Sequence, residues 1–258
     1  MMALYMKRAV RRNSDLPIGP AEREARVQLA AAYRVFAELG WTEAVFNHIT
    51  LRVPGEERIF LINPFGLLYH EVTASNLVAI DIDGDPVRET PYPVNRAGFV
   101  PHSAIHGAID DAHCVMHTHT TSGVAVASLD SGLSVDNFYG AQLRGRVAYH
   151  EFEGVTVEPG EKDRLIASID GRNAVILRNH GLLTWAPTVP EAFMWMWILQ
   201  RACDVQIAMA AAGAPRRIRP EALERSGASA AFDEKALCEL NFAAMVRRIE
   251  AKDPGYKA

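Results

Sequence analysis

The run Cys114-Val115-Met116, closed by His117-Thr118-His119, limits what this chain can fold into more than any other segment. Its apolar residues are consecutive rather than alternating, and the run is short, so it reads as a buried strand covered on both faces. A sheet containing such a strand needs a layer of structure on each side.

The rest of the chain supplies both strands and layers. From Pro20 to Leu39, Val27, Leu29, Tyr33, Phe36 and Leu39 fall near helical spacing, with Pro20 at the start and Gly40 as the stop. His48–Val53 and Ile59–Pro64 read as strands, and Asp83-Gly84 within Ala79–Val87 predicts a tight hairpin turn. Pro101–Ala112 reads as a helix opened by Pro101, and Ser122–Leu129 as an alanine-rich helix. Gly145–Val157 and Ala174–Gly181 read as further strands. A long helix starts at Thr188, whose spacing to Glu191 is that of a capping box with Pro190 in the first turn, and runs to about Ala212 before Gly213. Strands mixed with flanking helices give a layered α/β or α+β domain.

Composition removes several classes of function. With 258 residues, 49% hydrophobic, one large domain is the expectation. A formal charge of -4 leaves no basic field for nucleic acid. The short basic cluster Lys7, Arg8, Arg11 and Arg12 reads as a solvated N-terminal tail. Cys114, Cys203 and Cys238 are odd in number and widely spaced, which fits a reducing compartment rather than a disulfide framework. No apolar run reaches membrane-spanning length and the first residues lack signal-peptide order, so cytoplasm is the expected address, with no membrane partner.

The histidines carry the chemistry. Residues two apart on a strand share a face, so His117 and His119 project side by side. Two imidazoles at that span chelate one metal ion, or they are satisfied core histidines. His180, at the end of an apolar strand and followed by Gly181, offers a third ligand. Three histidines with an open position make a catalytic-type site for zinc or another divalent metal.

His117-Thr118-His119, Arg178-Asn179-His180-Gly181 and Thr188–Phe193, together with Phe46–Val53, Leu61–Ser75 and Asp81–Asp85, resemble the class II aldolase/adducin family over roughly Pro20 to Gly213. The resemblance implies a three-layer α/β/α sandwich around a mainly antiparallel sheet. It divides the chain into a tail (1–19), the aldolase-like domain (20–213) and a C-terminal helical extension (214–258). It further implies a cyclic homotetramer, and a metal, usually zinc with iron or manganese as alternatives, on His117, His119 and His180. That ion would act as a Lewis acid on a small carbonyl, hydroxy- or keto-acid substrate.

The chain departs from the family where its acid/base chemistry is done. The position of the usual catalytic glutamate is Gly98, in a stretch that resembles the adducin-like branch. His102, which shares a helix face with His106, could replace that base, although the resemblance implies a helix position that packs beneath the site. Asp136, in a segment similar to one that carries a catalytic aspartate in the family's pentulose-phosphate epimerases, and Tyr139 are further candidates; a surface loop and ordinary packing are the alternatives. Tyr149 is another packing tyrosine with a phenol to offer, and His113 and His150 read as structural. Asn47, Thr50 and Gly66 stand where the family binds phosphate, but Phe65 replaces a hydroxyl there. His70 and Glu71 fall in a loop near the family's substrate mouth.

The apolar helix around Met194, Trp195, Trp197 and Ile198 reads as buried in the core and against another subunit. Three functions remain open on the sequence: a metal-dependent lyase, an iron-dependent oxygenase or decarboxylase, and a non-catalytic adducin-like assembly module.

Overall fold

The computed structural model describes residues 18–154 and 160–258. The N-terminal basic cluster and the end of the Gly145–Val157 strand reading lie outside them. The first helix, α1 (Pro20–Leu39), matches its predicted span and ends where Gly40 turns left-handed at φ 73°. Strands β1 (Ile49–Arg52), β2 (Ile59–Ile62) and β3 (Val78–Asp81) follow. After them come α2 (Arg96–Ala108), β4 (Cys114–Thr118), α3 (Thr121–Ala127) and α4 (Phe138–Gln142). The domain continues with β5 (Val147–His150), α5 (Glu161–Ile169), β6 (Ala174–Leu177), β7 (Gly181–Ala186) and α6 (Val189–Ala212). Two further helices, α7 (Pro220–Ala228) and α8 (Lys235–Glu250), follow.

The seven strands form one sheet in the order β3-β2-β1-β4-β7-β6-β5. Its pairings are antiparallel except β5 with β6. Successive side chains point to opposite faces, and the core splits accordingly. Cys114, Met116, Ile176 and Leu182 pack on the α1 and α6 side. Val115, Val175 and Leu183 pack with Ile105 of α2 and Leu165 of α5 on the other. The result is the expected three-layer sandwich, with β4 at its centre. No helix among the described residues is long and apolar enough to cross a membrane.

Local chemistry explains where the elements differ from their sequence readings. Helix α2 begins at Arg96 rather than at Pro101, because the Asn95 side chain accepts from the Gly98 N–H and caps it. Pro101 sits inside the helix, early enough to lose little backbone bonding. Gly84 does make the turn after β3, yet only an isolated Ile80–Pro86 bridge follows, since a proline has no N–H for a second strand. Helices α4, α5 and α7 are additions to the elements read from the sequence.

Helix α6 is covered by its own chain. Trp195 stacks on Phe232 at 3.8 Å and Phe193 meets Phe242 of α8 at 5.5 Å, while Trp197 lies 5.9 Å from Trp41. Within the chain itself, Phe232, Phe242 and Trp41 thus cover much of the aromatic surface of α6.

Two polar devices tie α1 to the β1–β2–β3 half of the sheet. The buried Tyr33 hydroxyl accepts from the Ile49 N–H at 2.7 Å and donates to Asn63 Oδ1 at 2.9 Å, tying the start of β1 and the end of β2 to α1. Buried Glu22 holds Arg26 at 2.9 Å and also pairs with Arg88. Arg26 in turn donates to the carbonyls of Ala74 and Leu77.

Candidate metal centre

Strand β4 carries His117 and stops one residue short of His119, so the second histidine stands just past the strand end. The β6–β7 turn brings His180 to the same place, through Asn179 held at φ 56°. The rings of His117, His119 and His180 lie 4.5 to 4.8 Å apart, and one nitrogen from each falls within 4.8 Å of the others.

Glycine is required at 181. A Cβ there would stand 2.2 Å from the Thr118 carbonyl oxygen and 3.1 Å from the His119 ring. The close approach of these two backbones is what lets the three imidazoles converge.

The donor set fits a cation. His117 Nδ1 donates to the Leu182 carbonyl at 2.9 Å, which fixes the proton on that nitrogen and turns the Nε2 lone pair inward. His117 Nε2 and His119 Nε2 are 2.7 Å apart, a spacing at which two lone pairs repel unless a proton or cation lies between them. Burial drives His119 and His180 down to about 4, helped by the charges of neighbouring histidines, and holds His117 well below the usual histidine value. The rings are neutral at ordinary pH, the form that ligates metals.

A second polar group stands against the triad. Helix spacing puts Gly98, His102 and His106 on one face of α2, and alternation puts His48, just before β1, and Thr50, within it, on the facing side of the sheet. The His48 and His102 rings are 4.3 Å apart, and 6.0 and 6.5 Å from His117. Thr50 Oγ1 lies 2.7 Å from both His102 Nδ1 and His106 Nε2, and His106 Nδ1 donates to the Ala112 carbonyl at 2.6 Å. Gly98 has a steric reason of its own: a Cβ there would fall 2.5 Å from His48 Cε1. The His48 imidazole fills the space next to the position where the resemblance places a carboxylate.

Among the described residues, His48 Nε2 and His102 Nε2 are buried without partners, as are both amide atoms of Asn47, the residue before His48. An unpaired buried polar atom costs about 1–3 kcal/mol, so such a cluster is characteristic of a binding site. Burial pushes His48 to about 4 and His106 to about 3, and lowers His102 strongly.

The other residues singled out in the sequence have different surroundings. Asn47 joins the unpartnered group, whereas the Thr50 hydroxyl is spent on two histidines. Gly66 adopts φ 102°, and Glu71 accepts from the Leu68 N–H at 2.7 Å. Asp136 accepts from the Ile218 N–H at 3.0 Å and from Arg217 at 2.9 Å, holding the segment before α7. The Tyr139 ring packs against Phe138 and under the Arg201 guanidinium. The Tyr149 hydroxyl accepts from the Leu133 N–H at 3.0 Å, and His150 Nδ1 meets Ser168 Oγ at 3.0 Å.

His48 was not among the sequence candidates. Its signal was its place two residues before Thr50 on a strand, which aligns both with the α2 face that carries Gly98 and His102. Beside His119 opens a cleft of about 450 Å³, lined among others by Trp41, Glu43, Thr120, Ser122, Gln200 and Asp204. That volume suits a small molecule.

Residues 27–207 match the family model described as the class II aldolase and adducin N-terminal domain. A Pseudomonas aeruginosa protein named for aldolase class 2 is 39% identical over 245 residues, covering 93% of this chain and 94% of that one. Rat alpha-adducin is 42% identical over 210 residues, which are 80% of this chain but only 28% of the adducin. The solved structure of L-fuculose 1-phosphate aldolase from Glaciozyma antarctica superposes with a TM-score of 0.80 at 26% identity, over 95% of this chain and 98% of that one.

Proposed function

The chain belongs to the class II aldolase and adducin family, and from that membership we propose that it is a divalent-metal-dependent lyase, of aldolase or decarboxylase type, acting on a small hydroxy- or keto-compound. The observation that carries the reading is the convergence of three neutral imidazoles whose ring nitrogens lie within 4.8 Å. His117, His119 and His180 would hold the ion, with zinc the first choice and iron or manganese the alternatives. When bound, the ion supplies Lewis-acid polarisation of a carbonyl and stabilisation of the enolate formed from it.

The protein's own residues do the rest. The Leu182 carbonyl orients the His117 ring through Nδ1. The Phe152 ring lies 6.2 Å from the His180 ring and gives the site an apolar neighbour. Gly98 offers no side chain for proton transfer, and Asp136 and Tyr139 are engaged elsewhere. Proton transfer therefore falls to an imidazole, with His102 beside the triad and His48 next to it. In this reading the protein works in the cytoplasm as a homo-oligomer, a tetramer by family resemblance, on a small-molecule substrate.

A second reading, an adducin-like assembly module, draws support from the 42% identity to alpha-adducin and from the glycine at 98. Elemental mass spectrometry of protein purified without chelator or nickel resin separates the two. About one zinc per chain supports the lyase and directs a screen toward carbon–carbon cleavage of hydroxy-carbonyl compounds. Iron redirects the screen to oxygen-dependent chemistry. No metal after dialysis against zinc, manganese and iron overturns the lyase reading in favour of the assembly module.

A further inference from the structure

The hydrogen-bond chain beneath the site fixes which atoms it presents. His106 Nδ1 lies 2.6 Å from the Ala112 carbonyl, so that nitrogen carries the proton. Burial keeps the His106 ring neutral, which leaves its Nε2 as an acceptor. Thr50 must then donate its one hydroxyl proton to His106 Nε2 and accept from His102 Nδ1–H, both at 2.7 Å. His102, itself neutral, is left with a bare lone pair on Nε2.

His48 reaches the same state independently. Its Nδ1 lies 3.3 Å from the Phe46 carbonyl, with a second backbone contact to Gly98, so Nδ1 carries the proton and Nε2 does not. Both Nε2 atoms are buried and have no partner among the described residues. Two acceptors therefore stand side by side, on rings 4.3 Å apart, with no donor between them.

We infer that His48 and His102 form a substrate subsite that selects a hydrogen-bond donor, namely a hydroxyl of the ligand, and disfavours a phosphate or carboxylate oxygen at the same place. Ionised phosphate and carboxylate oxygens are acceptors, and facing two bare lone pairs they would meet repulsion without a compensating bond. A ligand hydroxyl, by contrast, can donate to either ring. The subsite rests on the reading of the triad as the reaction centre, because its rings lie 6.0 and 6.5 Å from His117. That is the span of a small hydroxy-carbonyl compound with its hydroxyl turned away from the triad.

The test has two arms. In metal-free protein labelled with nitrogen-15 in its histidine rings, long-range proton–nitrogen spectra report the tautomers. Both His48 and His102 should carry the proton on Nδ1, and Thr50→Val should release His102 from that state while leaving His48 in it. In zinc-loaded protein, calorimetry compares glycolohydroxamate with methoxyacetohydroxamate, which share the metal-binding group and differ in whether their second oxygen bears a proton. The wild type should prefer the hydroxyl compound by about tenfold or more. His48→Phe and His102→Phe, which keep ring volume, should bring the ratio close to one while zinc stoichiometry stays unchanged.

An Nε2 proton on either ring, or a ratio unaltered in both variants, would overturn the assignment. Failure of the wild type to bind zinc would count against the lyase reading alone, because the tautomer arm still decides the state of the two rings.

Discussion

Adding a single methyl group at Gly98 tests the centre of the site without touching a metal ligand. A Cβ at that position would sit 2.5 Å from His48 Cε1, 3.0 Å from His48 Nδ1 and 2.8 Å from the Asn95 amide nitrogen. None of these is the free end of a flexible chain: His48 is buried against His102, and the Asn95 side chain caps α2. Overpacking of this kind costs about 1–3 kcal/mol, and disturbing the cap adds about 1 kcal/mol. Against this, alanine is favoured over glycine inside a helix by about 1 kcal/mol. Gly98→Ala should therefore destabilise the protein by about 1–3 kcal/mol.

The same helix provides the control, because a Cβ on Gly107 meets only Ile82 Cδ1 at 3.9 Å. Gly107→Ala should stabilise by about 0.5–1 kcal/mol through propensity alone. Urea unfolding at fixed protein concentration reads both, with the midpoint moving down for one variant and up for the other. Pairing Gly98→Ala with His48→Ala should recover part of the loss, giving a coupling energy of about 1 kcal/mol or more. If Gly98→Ala raises the midpoint as Gly107→Ala does, or if the pair is additive, the His48 ring does not occupy that space and the reasoning about the subsite falls with it.

Three further outcomes follow from the structure. His117→Ala and His180→Ala should each lose the bound metal while far-ultraviolet circular dichroism stays unchanged; metal retained at wild-type stoichiometry in both would sink the triad. Gly181→Ala places a Cβ 2.2 Å from the Thr118 carbonyl, so it should lower metal-free stability by about 2 kcal/mol or more, unlike the two histidine variants, and a melting temperature equal to wild type would contradict that. Glu22, buried yet held below the usual carboxylate value by Arg88 and Arg26 against the opposing cost of desolvation, contributes stability that is fully present above its unfolded value near 4.5 and is lost as pH falls through the lowered one. Glu22→Gln should therefore cost about 3 kcal/mol at neutral pH, with the gap to wild type closing in acid; a gap independent of pH from neutrality down to acid unfolding would show that the charge is not what matters.

What the sequence made legible was whatever depends on neighbours along the chain. Pro20 and Gly40 bracket α1, Thr188 caps α6, and the consecutive apolar residues of β4 announce a sheet covered on both sides. The triad was legible for the same reason, since two of its members lie two residues apart and the third adjoins a glycine that only a close backbone approach explains. Helix α2 was placed too late because Pro101 is a stronger local signal than the Asn95 cap that starts it.

The second group of histidines was present in the sequence in pieces, but not joined. His102 and His106 declare a helix face by their spacing of four, and His48 and Thr50 declare a strand face by their spacing of two. Nothing local says that these two faces meet. That contact depends on the register of β1 against β4, Ile49 opposite Met116, which puts His48 at the height of His117, and on α2 lying across the same layer. Once the faces meet, the glycine at 98 changes meaning. In the sequence it is a missing carboxylate; in the fold it is the space that admits an imidazole, and the loss of one polar side chain and the arrival of another are one steric event. The chemistry available to this site is therefore set by a pair of residues fifty positions apart, each of which is uninformative without the other.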